Sequence, residues 1–81
     1  MAFEDIHFPV YRKYKNNRHY FKVISNNCFE EIQFIGDKQI INEIKATQLP
    51  EFNHIYDLVY NYRDLGDEIT ETEYLKIRDK N

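Results

Sequence analysis

The sequence predicts an α+β domain: a four-stranded antiparallel meander followed by one or two C-terminal α-helices. Three observations predict it. Asn16-Asn17, Asn26-Asn27 and Gly36-Asp37 recur at a ten-residue interval, and Asn, Gly and Asp tolerate the positive φ of a two-residue hairpin turn. The segments between them are rich in β-branched and aromatic residues. Near the C-terminus, Thr70-Glu71-Thr72-Glu73 has the form of a capping box ahead of a helix.

Taken in order, the strands fall at residues 8–15, 18–25, 28–35 and 38–45, within a sheet that spans 8–47. Two-residue turns fix the register, so the two faces can be written down. One face carries Phe8, Val10, Arg12, Tyr14, His19, Phe21, Val23, Cys28, Glu30, Ile32, Phe34, Ile41 and Glu43, and it is assigned to the core because it holds nine apolar side chains and fewer charges. The other carries Tyr11, Lys13, Lys15, Arg18, Tyr20, Lys22, Ile24, Phe29, Glu31, Ile35, Lys38, Ile40 and Ile44. This register sets Glu30 against Glu43, a like-charge pair that a bulge near Glu30-Glu31 would relieve.

Pro50 cannot donate to a ladder and ends the sheet. Beyond it, Phe52, Ile55, Val59 and Tyr62 fall at helical spacing, with Asn53, Asp57, Asn61 and Asp64 opposite. A helix over 51–64 stopped by Gly66 is favoured over a fifth strand, although Tyr56, Leu58, Tyr60 and Tyr62 also alternate. In the last helix Thr70 is the N-cap, Glu73 stands at N3, and Ile69 with Tyr74 makes a hydrophobic staple. Lys76, Arg78 and Lys80 complement the macrodipole at its end. The helical part thus covers 51–80. Only Tyr74, Leu75 and Ile77 can anchor the last helix, so it docks by a narrow stripe.

The 81 residues form a single small domain with 42% hydrophobic and 16% aromatic content, enough for a thin core. Apolar runs reach four residues, far short of the roughly 20 a membrane span needs, and the N-terminus lacks a signal-peptide plan. Cys28 is the only cysteine, which rules out an internal disulfide and points to a reducing compartment. These features together predict a cytoplasmic protein. Abundant Ile, Asn, Lys, Tyr and Phe follow AT-rich codons and suggest a bacterial or phage origin. The net charge of −3 conceals an asymmetry. Residues 1–27 sum to +3 and residues 28–81 to −6, as expected if the two halves face each other or meet a charged partner.

Several chemistries lack their residues. Two glycines, Gly36 and Gly66, cannot build a P-loop or a dinucleotide fingerprint. Ser25 and Cys28 are the only serine and cysteine, and they read as a turn residue and a small buried hydrophobe. His7, His19 and His54 have no metal-ligand spacing, and Asp64, Asp67 and Glu68 lack the alternation of a calcium loop. The expectation is a non-catalytic protein without cofactor or metal.

Two surfaces remain as candidates. Tyr20, Ile24, Phe29, Ile40 and Ile44 form an apolar patch on the face away from the assigned core, suited to a protein partner or a homodimer unless the two helices divide to cover both faces. Free edges along 8–15 and 38–45 offer a second route to association. The runner-up is single-stranded nucleic acid on the basic hairpin 11–22, where Tyr11, Lys13, Lys15, Arg18, Tyr20, Lys22 and Lys38 combine cations with aromatic platforms. Its structural alternative is a solvated hairpin with Lys22 paired to Glu31. The overall acidity, with a pI near 5.5, weighs against nucleic acid, and a protein-binding or self-associating module is the first expectation.

Overall fold

A computed structural model describes residue 3 and residues 5–79. The meander is present as β1 (Val10–Tyr14), β2 (His19–Ser25), β3 (Cys28–Ile35) and β4 (Lys38–Lys45). Helix α1 (Leu49–Tyr60), a 3-10 turn (Tyr62–Asp64), strand β5 (Gly66–Glu68) and helix α2 (Glu71–Arg78) follow. The sheet is antiparallel, in the order β4-β3-β2-β1-β5.

Two of the three hairpins keep the expected register. Val10 faces Val23 across β1–β2, and Cys28 faces Lys45 across β3–β4. Asn17 at φ 60 and Gly36 at φ 63 supply the left-handed turn conformations. The middle hairpin departs from expectation. Ser25 pairs with Cys28, but Val23 rather than Ile24 pairs with Phe29, so Ile24 is the extra residue of a β-bulge. No bulge occurs at Glu30-Glu31, and Glu30 stands opposite Glu43 as the turn dictates. The like charges are accommodated instead by α2, where Tyr74 Oη donates to Glu30 at 2.9 Å and Arg78 Nε at 3.2 Å.

One inserted residue exchanges the faces of β3 and β4 relative to β1 and β2, because side chains alternate with period two. Phe29 and Ile44 therefore join Phe21 and Val23, and α1 covers them with Ile55, Leu58 and Val59. Ile32 and Phe34 join Tyr11 and Tyr20 on the opposite face, under Ile69, Tyr74 and Ile77. Each helix covers one face, giving three layers over a single sheet. The one-sided core assignment is corrected accordingly.

Both helix starts follow local chemistry. In α1 the Glu51 carboxylate accepts from the backbone of Thr47 at 2.8 Å and Gln48 at 3.1 Å, which lowers its pKa. Pro50 occupies the first turn, where its missing N–H costs nothing. It starts this helix as well as ending the sheet. In α2 the Thr70 hydroxyl accepts from Glu73 N at 3.1 Å, and Ile69 and Tyr74 are both buried in one cluster, as a staple requires. Leu75, expected as an anchor, is exposed. Lys80 lies outside the described residues. Gly66 does not stop a helix. It opens β5, which pairs with β1 through Arg12–Glu68, Lys13–Asp67 and Tyr14–Gly66.

Candidate interaction surface

The charge asymmetry resolves inside the fold. Acidic residues of β5 and α2 pack on the basic first strand: Lys13 stands opposite Asp67 and Arg12 opposite Glu68, and Tyr11 Oη donates to Glu71 at 3.0 Å. Arg12 is itself buried, at 6% exposure. Its Nε donates to the Leu58 carbonyl in the last turn of α1 at 2.9 Å, and its guanidinium lies 4.1 Å above the Tyr62 ring. A cation is favourable at a helix C-terminus, so Arg12 ties α1 to the sheet.

The basic hairpin face is assembled only in part: Tyr11 stands opposite Lys22 and Lys13 opposite Tyr20. Tyr11 and Tyr20, at 8% exposure each, lie under α2. Burial comes first, ahead of Glu71 for Tyr11 and Glu73 for Tyr20, in raising the pKa of each phenol. Lys13 donates to Asn17 and borders a groove with Tyr20, Glu73, Lys76 and Ile77. Lys22 stands opposite Glu30 rather than Glu31, because of the bulge. Lys15 and Arg18 are exposed in the β1–β2 loop, and Lys38 occupies a register position on the α1 side of the sheet. Base stacking needs open rings among cations, and these two rings carry a helix.

The apolar patch is likewise divided. Phe29 is buried and Ile44 half-buried beneath α1, whereas Tyr20 lies beneath α2. Ile24, in the bulge, and Ile40 remain exposed.

A polar cluster on the α1 side had no signal in the sequence. Tyr14 Oη and His54 Nε2 approach to 3.3 Å, and His19 Nδ1 lies 2.8 Å from Glu31 Oε2. The His54 ring meets the edges or faces of Phe21 and Phe29 at 5.4 and 5.1 Å between centroids. Forty residues separate Tyr14 from His54, so only tertiary packing could reveal them. They border a pocket of about 250 Å³ with Arg12, Asp57 and Leu65, smaller than a typical ligand site. Cys28 falls on the opposite sheet face from both histidines, because β3 alternates and Phe29 faces α1. No group of three or more His, Cys, Asp or Glu among the described residues is arranged to hold a metal.

Burial lowers the His54 pKa, opposed by Glu31 and Asp57 and assisted by His19. A base whose folded pKa is depressed is charged more readily in the unfolded chain, so its contribution to stability falls as pH drops below about 6.5. Urea midpoints should therefore decline between pH 7 and pH 5. His54→Phe should flatten that decline. An unchanged slope in the variant would assign the effect elsewhere.

What the fold leaves open is the β4 edge. The opposite edge of the meander, β1, is closed by β5, which is only three residues long and ends in Asp67-Glu68. Short, charged strands are a common way of blunting a sheet edge. At the other end β4 runs for eight residues, most of them exposed, and no strand among the described residues pairs with its outer side. Ala46 N donates to Asn27 O at 2.7 Å, and Lys38 flanks a two-residue turn opposite Ile35. Even-numbered residues of this strand therefore direct their backbone groups towards β3. Gln39, Ile41, Glu43 and Lys45 direct theirs outward, since the two sets alternate. Ile40 and Ile41, 40% and 38% exposed, stand beside these groups. A second exposed apolar set, Leu49, Phe52 and Tyr56, recurs at helical spacing on α1.

No helix among the described residues is long and apolar enough to cross a membrane. Comparison with protein-family models, characterised proteins and solved structures gave no match.

Proposed function

We propose that the protein is a non-catalytic interaction module that accepts a strand from another chain along β4. The supporting observation is the contrast between the two edges of the meander: β1 is closed by the short, charged β5, and β4 keeps four outward backbone positions and two exposed isoleucines. Strand addition to an open edge draws affinity from main-chain hydrogen bonds and specificity from alternate side chains. The free Cys28 suits a reducing, cytoplasmic setting.

Proline substitution tests both the edge and its orientation. Ile41→Pro removes an outward donor and spares the β3–β4 ladder, so the monomer should stay within about 1 kcal/mol of the parent. Ile40→Pro removes a donor the ladder uses and should cost roughly 1–3 kcal/mol or more. A photo-crosslinking side chain at Glu43, expressed in the host, should give discrete protein adducts that Ile41→Pro abolishes. No adducts at Glu43, or adducts indifferent to Ile41→Pro, would overturn the proposal.

A further inference from the structure

Resting on the reading of β4 as a docking edge, we infer that its occupant is a second copy of this chain, paired antiparallel about a two-fold axis at Asn42. In an antiparallel pair, outward groups of one strand bond outward groups of the other. Odd-numbered residues of β4 must therefore face odd-numbered residues of the second copy, and a symmetric pairing has its axis on a residue rather than between two.

Four such axes retain a substantial overlap. An axis at Ile40 leaves Glu43 and Lys45 beyond the paired strand of the second copy, and an axis at Glu43 sets that carboxylate against itself. Like charges directly opposite are unfavourable. An axis at Ile41 leaves Lys45 to pair with Asp37, which belongs to the β3–β4 turn and not to the strand.

Only the axis at Asn42 pairs all four outward residues with one another. Gln39 then faces Lys45 of the second copy, Ile41 faces Glu43, and the reciprocal pairs follow, so each outward N–H and C=O gains a partner. On the α1 side Ile40 meets Ile44 of the second copy, twice. Ile44 already packs on the cluster of Phe21, Val23 and Phe29, so the pairing continues the core across the interface. The Asn42 amides meet on the axis and can bond each other, while Lys38 faces Ala46. The two Glu43 side chains fall on a diagonal roughly 7–8 Å apart, where water screens them. The surface is self-complementary, as a two-fold interface requires.

Light scattering from micromolar to millimolar concentration should show a mass rising to twice 10.0 kDa. Ile41→Pro should weaken the dimer roughly tenfold or more, equivalent to about 1.4 kcal/mol. With Cys28→Ser to remove the native thiol, Asn42→Cys should oxidise to a crosslinked dimer, because a non-hydrogen-bonded pair holds its Cα atoms about 4.5 Å apart, within disulfide reach. Crosslinking through Ile41→Cys in place of Asn42→Cys would overturn the axis. A dimer indifferent to Ile41→Pro would overturn the edge as its interface. A monomer at every concentration would overturn self-pairing, while Glu43 adducts of another mass would still leave the edge a docking site for a different protein.

Discussion

Tyr74→Ala is expected to cost roughly 3–5 kcal/mol, the range for removing a fully buried large side chain. Tyr74 is completely buried. Its ring lies 5.3 Å from that of Tyr11, and its hydroxyl donates to Glu30 at 2.9 Å. Burial, with Glu30 next, raises the phenol pKa well above its ordinary value, so the group donates throughout the physiological range. Nothing else on α2 anchors comparably, because Leu75 is exposed and Ile77 only half-buried. Total stability for a domain this size is of order 5–15 kcal/mol, so the truncation should take a large share of it. It should also release Arg78 and the Gln39 contacts at Ile77 and Arg78, made at 3.1 and 3.4 Å. Tyr74→Phe should cost less, roughly 1.5–3 kcal/mol, the hydrogen bond to the Glu30 carboxylate alone. Urea unfolding of the pair, with amide exchange over residues 71–78, separates ring from hydroxyl. Equal losses for both variants would contradict the anchoring role of the ring.

The strands were legible because each hairpin is a local code of turn residues and β-formers, although the β1–β2 loop runs over four residues, 15–18, and neither Asn26 nor Asn27 takes a positive φ. The register across β1–β2 and β3–β4 followed directly from it. The bulge at Ile24 was not legible, since no residue there demands an extra position. Ile24 yields because burying Phe29 with Phe21 under α1 outweighs an unbroken ladder. That one residue rearranged both predicted surfaces. It placed Phe29 and Ile44 under α1 and Lys38 on the face away from Tyr11 and Tyr20. The capping signals of α2 were legible for the same reason the strands were, being local. Gly66 was misread because a helix stop and a close backbone approach both call for glycine, and only the neighbouring strand distinguishes them. The open 38–45 edge could be named from the sequence as one of two, but which edge β5 would close depended on a three-residue strand with no apolar pattern.

Gly66→Ala tests that closure, and its effect is expected to be as large. A Cβ at Gly66 would sit 1.7 Å from the Lys13 carbonyl oxygen and 2.7 Å from its carbon, and both are backbone, so no side-chain rotation relieves the overlap. Either β1 or β5 must move. β5 is the weaker, with three residues held by its short ladder, Lys15 N to Leu65 O at 3.1 Å and Ile69 N to Tyr11 O at 3.2 Å. Its detachment should cost several kcal/mol, because Ile69 leaves a buried cluster and the outward groups of Tyr11, Lys13 and Lys15 lose their partners. The consequence for assembly follows from edge counting. A sheet with one open edge closes as a pair, whereas a sheet with two can add copies at both sides and need not stop. The variant should therefore lose exchange protection at Lys13 and Lys15 and scatter as species larger than a dimer. Adding Ile41→Pro should cap the β4 side and return it to small species. A Gly66→Ala chain with parental stability and protected Lys13 and Lys15 amides would show that β5 accommodates the methyl group, and that closing the β1 edge does not depend on this glycine.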